Sequence, residues 1–180
     1  MTTGQTPPCF DSETVGQAFL IEACRQLETA TNKIKHCLRQ LTDEQIWWRP
    51  TEPQNSIANL ILHLSGNVRQ WIVSGVGSEP DVRNRPLEFT ERSPIPREEL
   101  IHRLDDVLQR ADAVLRTVSI RQILERRCIQ GFETTGLSAI FDCVSHFKGH
   151  AQEIICLTRM QLGGRYEFDW IPSTPEQGAP

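Results

Sequence analysis

The chain has 180 residues, a formal net charge of −4, and 38% hydrophobic against 23% charged residues. That is enough for one domain with a hydrophobic core and too apolar for a disordered segment. The acidic balance argues against nucleic acid as the main partner, since no basic excess is present to neutralise phosphates. Runs such as "IANLILHL" fall short of the roughly 20 apolar residues of a membrane helix.

The opening stretch "MTTGQTPPCFDSE" has no basic start and no apolar signal core, which predicts a flexible leader over 1–11 and a cytoplasmic protein. Cys9, Cys24, Cys37, Cys128, Cys143 and Cys156 contain no CxxC pair. They read as reduced thiols, most of them small core residues.

A helix is predicted from a cap at Asp11 or Ser12 to about Leu41, carrying Val15, Phe19, Ala23, Leu27, Ala30 and Ile34 at three- and four-residue steps. Thr42 and Gln45 have the spacing of a capping box for one short turn, and Pro50 and Pro53 stop it. A second helix spans about Ser56 to Ser74, ended by Gly75 and Gly77. The loop "GVGSEPDVRNRPLEFTERSPIP" that follows exceeds the usual connection length, so it is either functional or a crossover packed over the bundle.

A third helix starts after Pro96 with Leu100, Leu104, Val107 and Ala111 on one side. The segment "ILERRCIQGFETTG" is ambiguous, and a small hairpin around Gly131 is one form it can take. A fourth helix runs from about Leu137 to Leu162, terminated by Gly163 and Gly164. Residues 166–180 form a tail in which Phe168, Trp170 and Ile171 are expected to pack on something. The fold class is therefore all-α: a four-helix bundle over 12–165 with a long loop between helices 2 and 3.

The second helix holds the first chemical signal. Beside its apolar face of Ile57, Leu60, Ile61, Leu64 and Val68 runs a polar but uncharged stripe of Ser56, Asn59, His63, Asn67 and Gln70. A solvated helix face normally carries Lys and Glu, so this stripe suits the wall of an internal cavity. His63 is then either a histidine hydrogen-bonded at the core edge or a ligand.

The second signal is "SHFKGHAQEI". His146 and His150 are four apart, which stacks them on one helix face with Cβ atoms roughly 5–6 Å apart, close enough for both imidazoles to reach one ion. They share a stripe with Ala139, Cys143 and Leu157, opposite Lys148, Gln152 and Arg159. Phe147 stands where the peptidase pattern HExxH has its glutamate, which disfavours that mechanism. Asp142 and Glu153 border the histidines, and each can accept a ring N–H or stand as a surface carboxylate. Cys143 is the substitute ligand if His63 is not one. His36 and His102 have no companion at ligand spacing.

The helix "NSIANLILHLSGNVRQW", the loop "RNRPLEF" and the helix "SHFKGHAQEIICLTRMQLG" together resemble the DinB/YfiT-like superfamily of metal-dependent enzymes over about residues 12–165, within it a group of no established activity. The resemblance implies a bundle with three histidines around one divalent metal, Zn or Ni, at His63, His146 and His150. It also implies a small-molecule substrate, with thiol S-transferases using low-molecular-weight thiols and hydrolase-like proteins among its members, and a homodimer. The chain departs from the family pattern after His150, where Ala151-Gln152-Glu153 stands for a small residue followed by Gly-Gln. Arg83 and Arg85 can give bidentate contacts to a carboxylate cosubstrate or be solvated loop residues. The alternative is a non-catalytic metal-binding or stress-associated bundle. A third reading takes Trp47, Trp48, Trp71 and Trp170 as an interface, against the plainer one that they are core.

Overall fold

Asp11 accepts a hydrogen bond from the Thr14 backbone N–H at 2.7 Å and so opens the first helix, α1 (Ser12–Arg39). The computed structural model describes residues 11–171, so the leader expected over 1–11 lies, apart from Asp11, outside the described residues, as does the tail beyond 171. A short α2 (Asp43–Trp47) follows, with the Thr42–Gln45 capping box formed in both directions. α3 (Ile57–Val68) opens on a second capping box, Ser56 with Asn59, and continues as a π-helical stretch, Arg69–Ser74. Within the long connection lies α4 (Arg85–Thr90), and after Pro96 comes α5 (Arg97–Thr117).

The ambiguous segment divides into α6 (Ile120–Leu124) and a two-stranded hairpin of β1 (Arg126–Ile129) and β2 (Phe132–Thr135). Its turn residues, Gln130 and Gly131, both have positive φ, 54° and 82°, the conformation of a tight hairpin turn. α7 (Gly136–Leu162) closes the bundle, and Gly163 ends it at φ 56°.

The four long helices pack in a ring. α1 lies against α5 and α7, and α3 lies against the same two, so α1 and α3 face each other across the core. The apolar faces read from the sequence meet there: Ile34, Leu38, Ile57, Leu60, Ile61, Leu64, Leu104 and Phe147 are fully buried, each such aliphatic or aromatic side chain stabilising by about 1.5–3 kcal/mol. Val15, placed on the core face of α1, is exposed, because the first turns of α1 extend beyond the packed part of the ring.

The end of α3 explains its glycines. Gly75 N–H bonds back five residues to the Gln70 carbonyl, which widens the last turn. A Cβ on Gly77 would meet the Val73 carbonyl at 2.6 Å and Val114.

The expectation for the tail is corrected in part. Tyr166 and Phe168 stack under the Arg159 guanidinium, and the Glu167 carbonyl accepts from His36 and Gln40 on α1. Trp170 and Ile171 are exposed. No helix among the described residues is long and apolar enough to cross a membrane.

Candidate metal centre

The neutral stripe of α3 is buried, as a cavity wall requires. Ser56, Asn59, His63, Asn67 and Gln70 are all below a tenth exposed. α7 packs against α3 and brings its His146–His150 face across from it. Phe147, between them in sequence, points the other way into the core, while Lys148, Gln152 and Arg159 face solvent.

One ring nitrogen from each of His63, His146 and His150 lies within 4.8 Å of the others. The rings stand edge to face, centroids 4.5–5.1 Å apart. His63 Nε2 is 2.8 Å from His146 Nε2, so the inner nitrogens of two imidazoles on different helices face each other. The outer nitrogens are tied elsewhere. His63 Nδ1 meets Glu88 Oε2 at 2.9 Å, and His150 Nδ1 meets Glu153 Oε2 at 2.7 Å. A carboxylate on the outer nitrogen holds the proton there and leaves the inner lone pair free for a cation. Burial, then the neighbouring imidazoles of His150 and His63, hold His146 down to about 4, so it is neutral at pH 7. Three imidazoles turned inward are a donor set that could hold a metal ion.

The long connection supplies what the sequence did not reveal. α4 folds over His63. Asn59 Nδ2 holds it by donating to the carbonyls of Glu88 and Glu91, and Phe89 lies 4.8 Å from the His63 ring. Glu88 on this short helix is the partner of His63. Burial raises its carboxyl, but hydrogen bonds from Arg83 and His63 outweigh that and hold it below the usual range. The only sequence signal for this was the unusual length of the loop.

The other candidate residues divide. Glu153 meets His150, as one of its two readings had it. Asp142 makes no hydrogen bond to a ring. It lines a cavity of about 390 Å³ with His63, His146, Asn67, Trp71 and Phe132, because one helical turn before His146 puts it at the mouth and not behind the ring. Arg83 is no solvated residue and is not free for a cosubstrate, since its side chain is 2% exposed and paired with Glu88. Arg85 is exposed, its guanidinium 4.9 Å from the Phe89 ring centroid at the same cavity.

Cys143 donates to Asn67 Oδ1, and burial pushes its thiol up to about 12. It is a neutral packing residue of the cavity wall, not a thiolate. His102 is exposed and His36 is engaged with the Glu167 carbonyl, so neither approaches the cluster. Of the tryptophans, Trp47 is half-buried and donates to the Ile95 carbonyl, Trp71 lines the cavity, and Trp48 and Trp170 are exposed.

Residues 14–174 match one protein family. The chain belongs to the DUF1572 family. That family carries the description "Protein of unknown function", so membership in DUF1572 fixes kinship without fixing chemistry. The bundle is similar to the crystal structure of a conserved protein from Enterococcus faecalis, at a TM-score of 0.62 and 12% identity, covering 86% of this chain and 99% of that one. At that identity the likeness speaks for the fold alone. No curated protein matches the chain.

Proposed function

We infer that this protein is a metal-dependent enzyme of the DinB/YfiT-like kind, with a divalent ion, Zn or Ni, on His63, His146 and His150. The observation that carries this reading is the convergence of three inner imidazole nitrogens from α3 and α7, two of them with a carboxylate on the outer nitrogen. Three protein ligands suit a reactive site more than a structural one, which normally has four. When bound, such an ion supplies Lewis acidity and acidifies a thiol or a water brought to it.

The residues around the cluster would do the rest. Trp71 and Phe132 give the cavity apolar walls for the body of a small molecule. Asn67 offers an amide at its floor. Arg85 at the rim suits an anionic group on the substrate, a low-molecular-weight thiol with a carboxylate being one fit. Glu88 and Glu153 are each spent on a histidine, so Asp142 is the carboxylate among the cavity-lining residues left to accept a proton.

The test is a turnover screen of thiol conjugation and of ester and amide hydrolysis, with Zn²⁺, with Ni²⁺ and after chelation. This reading expects turnover that chelation abolishes and that Asp142→Asn removes without loss of bound metal. Turnover unaffected by chelation would contradict it. Metal binding with no turnover in any assay would favour the non-catalytic metal-binding bundle.

A further inference from the structure

Burial of the Glu88–Arg83 pair is in itself weak evidence of a stabilising role. Replacing a buried ion pair with well-packed apolar side chains is often neutral or stabilising. Here Glu88 sits on a six-residue helix inside a loop and Arg83 just before that helix, both beside Nδ1 of His63, with side chains 9% and 2% exposed.

Its geometry is specific. Arg83 grips Glu88 with two parallel hydrogen bonds, Nε to Oε1 at 2.7 Å and Nη2 to Oε2 at 2.8 Å. Its remaining arm, Nη1, donates to Gln70 Oε1 at 2.8 Å, and Gln70 in turn donates to Asp81. α3 makes room for this clamp. A Cβ added at Gly66 would overlap Glu88 Oε1, come to 2.8 Å of Glu88 Cδ and 3.1 Å of Arg83 Nε. Gly66 has no positive φ, so its backbone would accept alanine, which is a better helix former. The position is small because the carboxylate passes there.

The clamp also decides where the His63 proton sits. Glu88 Oε2 and Arg83 Nη2 both approach Nδ1, at 2.9 Å and 3.2 Å. A carboxylate needs a proton on that nitrogen, whereas a guanidinium can only donate and needs a lone pair there. The carboxylate is nearer, and Nη2 already donates to Oε2. Nδ1 therefore carries the proton and Nε2 faces His146 with its lone pair.

Building on the metal reading above, we propose that Glu88, clamped by Arg83 and given room by Gly66, is the positioning residue that sets the His63 tautomer and thereby the affinity of the cluster for a divalent ion. The loop between α3 and α5 is on this account part of the metal centre. Glu153, whose side chain is 46% exposed, plays a lesser part at His150.

The test measures Zn²⁺ and Ni²⁺ affinity by competition with a chromophoric chelator, for the full chain and for Glu88→Gln, Glu88→Ala, Gly66→Ala and Glu153→Gln. Losing a partner behind a ligating histidine typically weakens binding roughly 10–100-fold. That loss is expected for Glu88→Ala and Gly66→Ala, a smaller one for Glu88→Gln, whose amide oxygen still accepts from Nδ1–H, and less than about fivefold for Glu153→Gln.

Long-range nitrogen–proton NMR correlations of the imidazoles in metal-free protein give a second readout that a folding role would not move. His63 is expected with its proton on Nδ1 in wild type and Glu88→Gln, and to lose that bias in Glu88→Ala. Wild-type binding left within about twofold by both Glu88→Ala and Gly66→Ala, or a proton on Nε2 of His63 in wild type, would overturn the proposal. A wild type that binds no metal defeats the metal reading instead, and the NMR result still decides the tautomer.

Discussion

His63 reaches the cluster from α3 with its outer nitrogen sealed beneath Glu88, Arg83 and Phe89. His150 reaches it from α7 with its outer nitrogen on a half-exposed Glu153. The same interaction, imidazole to carboxylate, is thus made once in a dry setting with a third partner and once at the surface with none. A charged hydrogen bond counts for more where water cannot replace it. The α3 half is the more buried side of the site and has more partners, and the α7 half rests on the core beneath it.

That contrast can be broken from either side. Phe147 anchors the α7 half, being fully buried between the two histidines in sequence. Phe147→Ala is expected to cost about 3–5 kcal/mol of unfolding free energy, read by denaturant melts. A cost under about 1 kcal/mol would mean that the core does not hold this half.

Asn59 anchors the α3 half through its two bonds to the carbonyls of Glu88 and Glu91. Asn59→Ala takes the Asn59 donor from the Glu88 carbonyl, while the Glu91 carbonyl keeps Arg92 Nη1, and should cost about 1–3 kcal/mol. Hydrogen exchange should rise in α4 and leave α7 untouched. A uniform rise across the chain would show that α4 is not separately held.

The contrast also separates the thiols. With its pKa near 12, Cys143 at pH 8 holds about one thiolate in 10,000, and alkylation of the folded protein should spare it while the exposed Cys128 and Cys156 react. As pH rises toward 12 its reactivity should climb. Modification of Cys143 as fast as the other two at pH 8 would show an open, wet cavity. The smallest effect belongs to Glu153→Gln, at most about 1 kcal/mol of stability.

The same contrast governs what could be read in advance. The α7 pair was legible because its chemistry is local: three and four residues make about one helical step, so spacing alone places His146 beside His150 and Glu153 beside His150. The α3 stripe was legible because burial leaves a signature, the want of charge between Ser56 and Gln70. Four amphipathic segments gave the bundle in the same way. Glu88 was not legible, since it meets His63 across 25 positions of sequence and no periodicity links them. Neither reading of Arg83, a contact to a carboxylate cosubstrate or a solvated loop residue, describes it for the same reason, its partner Glu88 being invisible until the loop folds. Asp142 borders the histidine stripe as expected but makes no bond to a ring, a distinction finer than a helical wheel draws. The π-helical end of α3 left no pattern at all, because its widened turn is set by packing around Gly75 and Gly77 and not by propensity.

The most direct measurement is metal binding by metal-free, refolded protein, followed by calorimetry with Zn²⁺ and Ni²⁺ for wild type and for His63→Ala, His146→Ala and His150→Ala. The account predicts one ion per chain in wild type and, in each variant, a loss beyond the roughly hundredfold typical of outer partners, with the fold intact by circular dichroism. No binding by wild type, or binding that survives His63→Ala, would contradict it.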